Sequence, residues 1–546
     1  MSTKYKLPFF KNNYKNVISS NSPAYSLTKS GRSREMDLSE NKTTFNTIEE
    51  THLKSSEQSV DIQLSLPEYC SDIRKILKCF VIPNVFACFT SGDRVSADGE
   101  ALVRVIYVGE GEKLESYEQS VPFSKYAELQ GFESDCSVRA EAETEYVNCR
   151  AVSQRRISIS SAVCIHFYLR RIKGERLFSD CGSSLFETKR EEVKCSEIKA
   201  LCEKPFEMSE TAALSENLPP VSSIIRTHTC ACIDTVKTVS SKMLIKGDMI
   251  TDIVYCTDSE RGGTERYSHS MPISQIIDLE GADENSVCDV NVRVLSVCVS
   301  FKADSEGRNR LLDISVRACA GVSAYSESDI CVVSDGYSTE YETESEFKNI
   351  LFRTHIFTYN ETKQIRANID LSGLSAAEII DAYALGCSGS AEDDASQIKG
   401  RGEIPVGILY RTIQGEYAYT ERTVDFSFEC RSKATDGRII CEPCFTLTQL
   451  SAVILSESSA EIRAGVNVSM PIFEENERRV CTKLEIIEDR KKNPCDCPLT
   501  VYFSSDGETL WDIARKYNTT CDRIKEDNEL QSEELSGNTM LLICSQ

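Results

Sequence analysis

GEALVRVIY (Gly99–Tyr107) decides the fold, because the chain contains it three times. The copies are GDMITDIVY (Gly247–Tyr255) and GEIPVGILY (Gly402–Tyr410). Their glycines lie 247 − 99 = 148 and 402 − 247 = 155 residues apart, and a tyrosine follows each glycine by eight positions. Period two runs through all three. Val103, Thr251 and Val406 share one column, Val105, Ile253 and Ile408 the next, and the tyrosines follow. The intervening column holds Arg104, Asp252 and Gly407. Such alternation predicts a β-strand with one buried and one wet face. Pro405 lacks an N–H, so the third copy is expected to carry an edge strand or a bulge there.

The repetition extends both ways. Downstream, SYEQSVPF (from Ser116) pairs with RYSHSMPI (from Arg266) and YTERTVDF (from Tyr419). Alternating strands then begin at Cys136, Cys288 and Cys441, and each is followed by another: RRISISSAV, RLLDISVRA and AEIRAGVNV. Upstream, LSLPEYCSDIRKIL (from Leu64) matches ENLPPVSSIIRTH (from Glu216), with ANIDLSGLSAAEII (from Ala367) as a worn third copy. Gly109–Gly111, Gly262-Gly263 and Gly415 mark turns. The fold expected is mainly β: three repeated β-sandwich-like units, then a small α+β module. The divisions expected are a disordered polar tail over 1–55, units over 56–205, 206–354 and 355–487, a charged linker over 488–498, and a terminal module over 499–546. Mixed patterns near 175–205 and 325–355 fit strands that bridge one unit to the next.

Composition narrows the function. Net charge is −23 over 546 residues, with no basic stretch to offset it, so nucleic acid is an unfavoured partner. No apolar run approaches the roughly 20 residues of a membrane span. MSTKYKLPFFKNNYKN shows no apolar core of a signal peptide, so synthesis in a cytoplasm is expected. The 25 cysteines fall mostly inside alternating strands, for example Cys164, Cys298 and Cys319, where they serve as small core residues.

The terminal module follows other rules. VYFS (from Val501) reads as a short strand. Thr509 is a good N-cap with Asp512 three residues on as its capping-box acid. Leu510, Ile513, Ala514 and Tyr517 share a helical face. A second helix is expected from about Thr520 to Asn528, with Ile524 inward, and MLLI (from Met540) as a closing strand. Trp511, the sole tryptophan, and Ile513 are expected in the core.

This β-α-α-β pattern resembles a LysM domain, on DGETLWDIARKY, the following TT, Ile524, Asn528, Leu530 and Gly537. The resemblance implies binding of N-acetylglucosamine chains of peptidoglycan or chitin. A groove would lie between the loops Ser505–Leu510 and Asn528–Leu535, formed by Asp506, Gly507, Glu508, Thr509, Leu510, Asn528, Leu530 and Leu535. The β repeats resemble the SPOCS domain of spore coat proteins, on LPEYCSDIRKIL and GEALVRVIYV. Several SPOCS copies followed by one LysM resemble the SipL-type spore morphogenetic proteins. That implies a non-enzymatic scaffold made in the mother cell, localised to the forespore surface, that helps attach the coat. Its LysM would contact the coat's basement-layer morphogenetic ATPase or another coat protein. The module's four Lys/Arg against nine Asp/Glu suit a basic protein patch at least as well as a neutral glycan. The alternatives are a peptidoglycan-binding wall or cortex anchor, and a wall hydrolase targeted by its LysM.

Catalytic and metal signals are thin, and no cofactor is expected. CEPC (Cys441–Cys444) and CDC (Cys495–Cys497) could offer thiolates, yet a tight zinc site wants four ligands and no second CxxC follows at finger spacing. CDC is the better candidate for cross-linking in a coat. The five histidines, His52, His166, His228, His269 and His355, lie far apart in sequence. No GxSxG elbow, Walker loop or dinucleotide glycine pattern occurs.

Overall fold

Alternation in the repeated nonapeptide builds the middle strand of a three-stranded sheet, and the same six-strand plan recurs around each copy. The computed structural model describes residues 40–129, 136–181, 185–258, 263–394, 397–431, 437–492, 499–533, 535 and 538–544. The first unit comprises β1 (Glu40–Ser65), β2 (Lys75–Ser91), β3 (Arg94–Val108), β4 (Leu114–Glu128), β5 (Cys136–Ser153) and β6 (Arg156–Cys181). One sheet has the order β2-β3-β4 and the other β1-β6-β5. Val60, Val103, Val105, Tyr107, Ile157 and Phe167 meet between them in one core. The second unit repeats this with β7 (Phe186–Ala213), β8 (Val221–Val239), β9 (Lys242–Thr257), β10 (Thr264–Asp278), β11 (Val287–Ala303) and β12 (Asn309–Ser338).

The third unit uses β13 (Tyr341–Asp370), β14 (Ala376–Ala384), β15 (Ser388–Asp393), β16 (Gln397–Thr412), β17 (Tyr417–Arg431), β18 (Arg438–Cys441), β19 (Cys444–Ser456) and β20 (Ser459–Lys491). Two of its strands are interrupted. β14 and β15 together occupy the place of β2, and their break faces Pro405, whose carbonyl accepts Leu385 N–H at 2.8 Å. Pro405 sits on β16, the central strand, so the irregularity is in the neighbour and is not a sheet edge.

The repeat glycine has a steric reason. Gly99 lies across from Val85 and Gly247 from Ile233, beside register shifts in β2 and β8. The bulged backbone comes close. A Cβ on Gly99 would stand 2.2 Å from the Asn84 carbonyl oxygen, and one on Gly247 2.0 Å from that of Cys232.

The face expected to be wet is buried. Ile106, Val254 and Leu409 alternate with the core columns and are 2%, 1% and 2% exposed. They join Val108, Leu114, Ile225, Cys256 and Tyr417 in a cluster shared by all three units. The reason is tertiary: the outer faces of the three small sheets turn toward one another. The units close a ring by one repeated contact, the fourth strand of each against the second strand of the next. Ser116 donates to the Ile224 carbonyl at 2.5 Å, Arg266 pairs with Asp381 at 2.5 Å, and Lys78 pairs with Glu421 at 2.6 Å. Lys78, Arg226 and Asp381 occupy equivalent places, opposite Ile106, Val254 and Leu409. Asp381 is buried between Arg226 and Arg266.

The junctions are not filled alike. The first unit buries Arg104 against Glu118 in this layer. The second has the smaller Asp252 and Ser268 at those places. A cavity of about 270 Å³ opens there, lined in part by Arg226, His228, Asp252 and Tyr383.

The expected boundaries move. Residues from Glu40 onward, assigned to the tail, form the first half of β1, while 1–39 lie outside the described residues. Units run from Glu40 to Cys181, Phe186 to Ser338 and Tyr341 to Lys491. Residues 488–491, expected in the linker, end β20, and 493–498, with CDC, are outside the described residues. The first and last strands of each unit extend past its sandwich as a ribbon. The three ribbons bury Phe45, Leu177, Val193, Ile330, Phe352 and Val480 together. A strand that leaves one core for another keeps its alternation, so sequence shows no break.

Candidate functional site

The terminal module comprises β21 (Leu499–Phe503), α1 (Leu510–Lys516), α2 (Cys521–Asp527) and β22 (Met540–Cys544), with β21 and β22 antiparallel. Its local signals act as physics requires. The Thr509 hydroxyl accepts Asp512 N–H at 3.3 Å, and the Asp512 carboxylate accepts Thr509 N–H at 3.2 Å, a complete capping box. The hydrogen bonds from Thr509 hold the Asp512 carboxyl below its ordinary value. Thr520 caps α2 by accepting Arg523 N–H. Leu510, Ile513, Ala514, Ile524, Leu541 and Ile543 form the core.

The expected groove residues divide by role. Leu510 is 0% exposed, so its side chain packs the module's core. Asn528 spends its carboxamide internally, donating to the Ile524 and Leu542 carbonyls at 2.8 and 2.7 Å and accepting Leu542 N–H at 2.6 Å. That ties α2 to β22. The Glu508 carboxylate accepts the Tyr502 hydroxyl at 2.8 Å and Ser505 N–H at 3.0 Å. Thr509 is the cap. Asp506 and Gly507 are exposed in a turn, with Gly507 at φ +81°. Leu530 and Leu535 are half-buried against the module's core.

Trp511 does something else. It is half-buried, and its partners belong to the end of β12. Its indole N–H donates to Asp335 Oδ2 at 2.9 Å, and its ring meets Tyr337 edge-on at 5.0 Å. Arg515, one turn on, pairs with the same Asp335 oxygen at 2.6 Å. Tyr337, 1% exposed, donates its hydroxyl to the Thr519 carbonyl at 2.6 Å. Lys492 donates to the Ser338 carbonyl and to Asn518 Oδ1 at 2.8 and 2.7 Å. A Cβ on Gly336 would lie 2.6 Å from a Leu484 methyl, which fixes the strand end beneath. The module is thus seated on the second unit through α1 and the α1–α2 turn. Sequence reading missed Asp335, Tyr337 and Lys492. DGYS (Asp335–Ser338) reads as an ordinary turn, and its partner lies more than 170 residues away.

Elsewhere the structure gathers little chemistry. His52 and His166, distant in sequence, come together across β1 and β6, with the Ser55 hydroxyl 3.0 and 2.8 Å from their ring nitrogens. Cys441 and Cys444 flank the break between β18 and β19. Among the described residues, no group of three His, Cys, Asp or Glu could hold a metal ion. Cys164 and Cys319 are buried as expected, whereas Cys298 is exposed. Burial pushes the Cys319 thiol up to about 12 and Cys256 up to about 11.

The family model described as "SipL, SPOCS domain" matches residues 72–152 and 220–302. These intervals cover β2–β5 and β8–β11. A LysM domain model matches residues 506–543. No curated protein and no solved structure matches the chain. The chain is therefore a mainly β protein that carries SPOCS domains and a C-terminal LysM domain. This is the SipL-type combination the sequence motifs suggested. Both domains are binding types and fit a sporulation-related protein with a peptidoglycan-binding kind of module. No helix among the described residues is long and apolar enough to cross a membrane.

Proposed function

We propose that the chain is a non-enzymatic sporulation scaffold. It acts from the mother-cell cytoplasm at the forespore surface and helps attach the spore coat. Its LysM docks a coat morphogenetic protein, with the basement-layer ATPase as first candidate. One observation carries this reading. Glu508, Thr509, Leu510 and Asn528 are committed to the LysM's own fold, and Trp511 to the SPOCS body. Of the eight expected groove residues, Asp506, Gly507, Leu530 and Leu535 remain for a glycan. The module's excess of acids favours a basic protein partner. Three fused β units and a LysM on one chain supply several weak contacts, which together raise effective concentration at a surface.

The alternative, a peptidoglycan anchor, is favoured by the exposed Asp506-Gly507 turn. Co-sedimentation of the full chain with purified peptidoglycan, beside binding to the purified ATPase, separates the two. Retention by peptidoglycan that is lost in Gly507→Val, with no ATPase binding, would replace docking with anchoring. A zymogram on cell-wall substrate tests the hydrolase alternative.

A further inference from the structure

The two-stranded sheet of the LysM has one covered and one bare face. Tyr502, Leu541 and Ile543 point toward the helices, the last two at 0% exposure. The alternate positions make an apolar strip: Leu499, Val501, Phe503 and Met540 are 53%, 53%, 60% and 56% exposed. Register places Leu499 opposite Cys544, Val501 opposite Leu542 and Phe503 opposite Met540. Half-exposed large apolar residues rarely cluster without a partner. The SPOCS body does not cover the strip, because it is seated on α1 and the α1–α2 turn.

Charge says what covers it. Asp506, just past Phe503, is exposed at one end, and Asp527, hydrogen-bonded by the Cys544 thiol, stands at the other. Of the module's four cations, Arg515 is engaged by Asp335, Lys525 by Asp522 and Glu533, and Lys516 over the rings of Tyr502 and Tyr517, while Arg523 stands with Asp527 near Cys544. With nine Asp/Glu against four Lys/Arg in the module, the surroundings of the strip repel a second copy of it and attract a basic rim.

We propose that this bare sheet face is the LysM's docking surface, and that its occupant is a protein surface with an apolar centre and a Lys/Arg-rich rim. The inference rests on the docking reading above and specifies which surface does the docking. Of the expected glycan-loop residues, Asp506 then serves the docking surface as one of its acidic ends.

The test uses the full chain and the purified coat morphogenetic ATPase, with affinity measured at low and moderate salt. Val501→Asp combined with Phe503→Asp is expected to weaken binding at least tenfold, since anchors of an interface carry most of its energy. Asp506→Lys combined with Asp527→Lys is expected to weaken it several-fold and flatten its salt dependence. Val501→Thr with Phe503→Ser serves if the acidic pair fails to fold, and unchanged Trp511 emission certifies the seat. Equal binding by wild type and apolar-strip variants overturns the surface and leaves the docking reading intact. Failure of the wild type to bind the ATPase overturns both. A wild-type dimer that the strip variants turn into monomer makes the occupant a second copy and overturns the proposal.

Discussion

Replacing Tyr337 with alanine should release the LysM from the body. Tyr337 is 1% exposed, meets Trp511 edge-on and donates to the Thr519 carbonyl. Truncating a buried aromatic costs about 3–5 kcal/mol, and a carbonyl left unpaired adds about 1 kcal/mol. A module of this size has only a few kcal/mol of its own. The loss therefore matches the module's whole stability. Trp511, the sole tryptophan, reports directly on the seat. Urea unfolding followed by its emission should coincide with the far-ultraviolet signal of the β body in wild type. In Tyr337→Ala the emission shifts red, and its midpoint falls by at least about 2 M, taking a slope of about 1–2 kcal/mol per molar for a small domain. Asp335→Asn keeps an acceptor for the indole but loses the charge for Arg515, so its shift is smaller, worth about 1 kcal/mol. An unchanged emission maximum and midpoint in Tyr337→Ala would refute the seat.

Three further outcomes are expected. Asp381→Ala leaves Arg226 buried without its partner and should cost about 3–5 kcal/mol in global unfolding, because removing one member of a buried ion pair strands the other. Gly247→Ala drives a Cβ into the Cys232 carbonyl and should cost at least about 2 kcal/mol by thermal unfolding, whereas Gly415→Ala, with open space around its Cβ, should show only the smaller cost of its positive φ. Burial, then the charge of Arg226, holds His228 below the ordinary imidazole value. The unfolded chain therefore binds the proton first: the stability is whole above the unfolded value near 6.5 and is lost as pH falls through the folded one. In His228→Phe, whose ring has room in the adjoining cavity and matches Phe80 of the first unit, the urea midpoint should fall less between pH 7 and 5 than in wild type.

Much of the site was legible because it is local. Thr509 and Asp512 are three residues apart, so their capping box is written in the chain. The same holds for the helical face of Leu510, Ile513 and Ala514. The recognition roles of Asn528 and Glu508 were not legible, because a side chain's spare hydrogen bonds depend on what lies beside it. Asn528 meets β22, fourteen residues on, and spends both amide donors and a bond to its oxygen within the module. Trp511 shows the limit best. An apolar residue on a helix can face its own core or another domain, and helical periodicity does not distinguish them.

Sequence by itself determined the repeated β unit, the identity of the terminal module and its secondary structure, while the turn expected at Gly262-Gly263 lies partly outside the described residues. Those follow from alternation, glycine and capping, which act over a few residues. Only the tertiary structure decided that the three units close a ring, that Ile106, Val254 and Leu409 are buried rather than wet, and that Tyr337 belongs to the LysM's core. The physical reason is the same in each case. A strand has two faces, and period two separates them without saying what covers the second. That is settled by contacts between residues 100 or more positions apart, whose pairing no local pattern records.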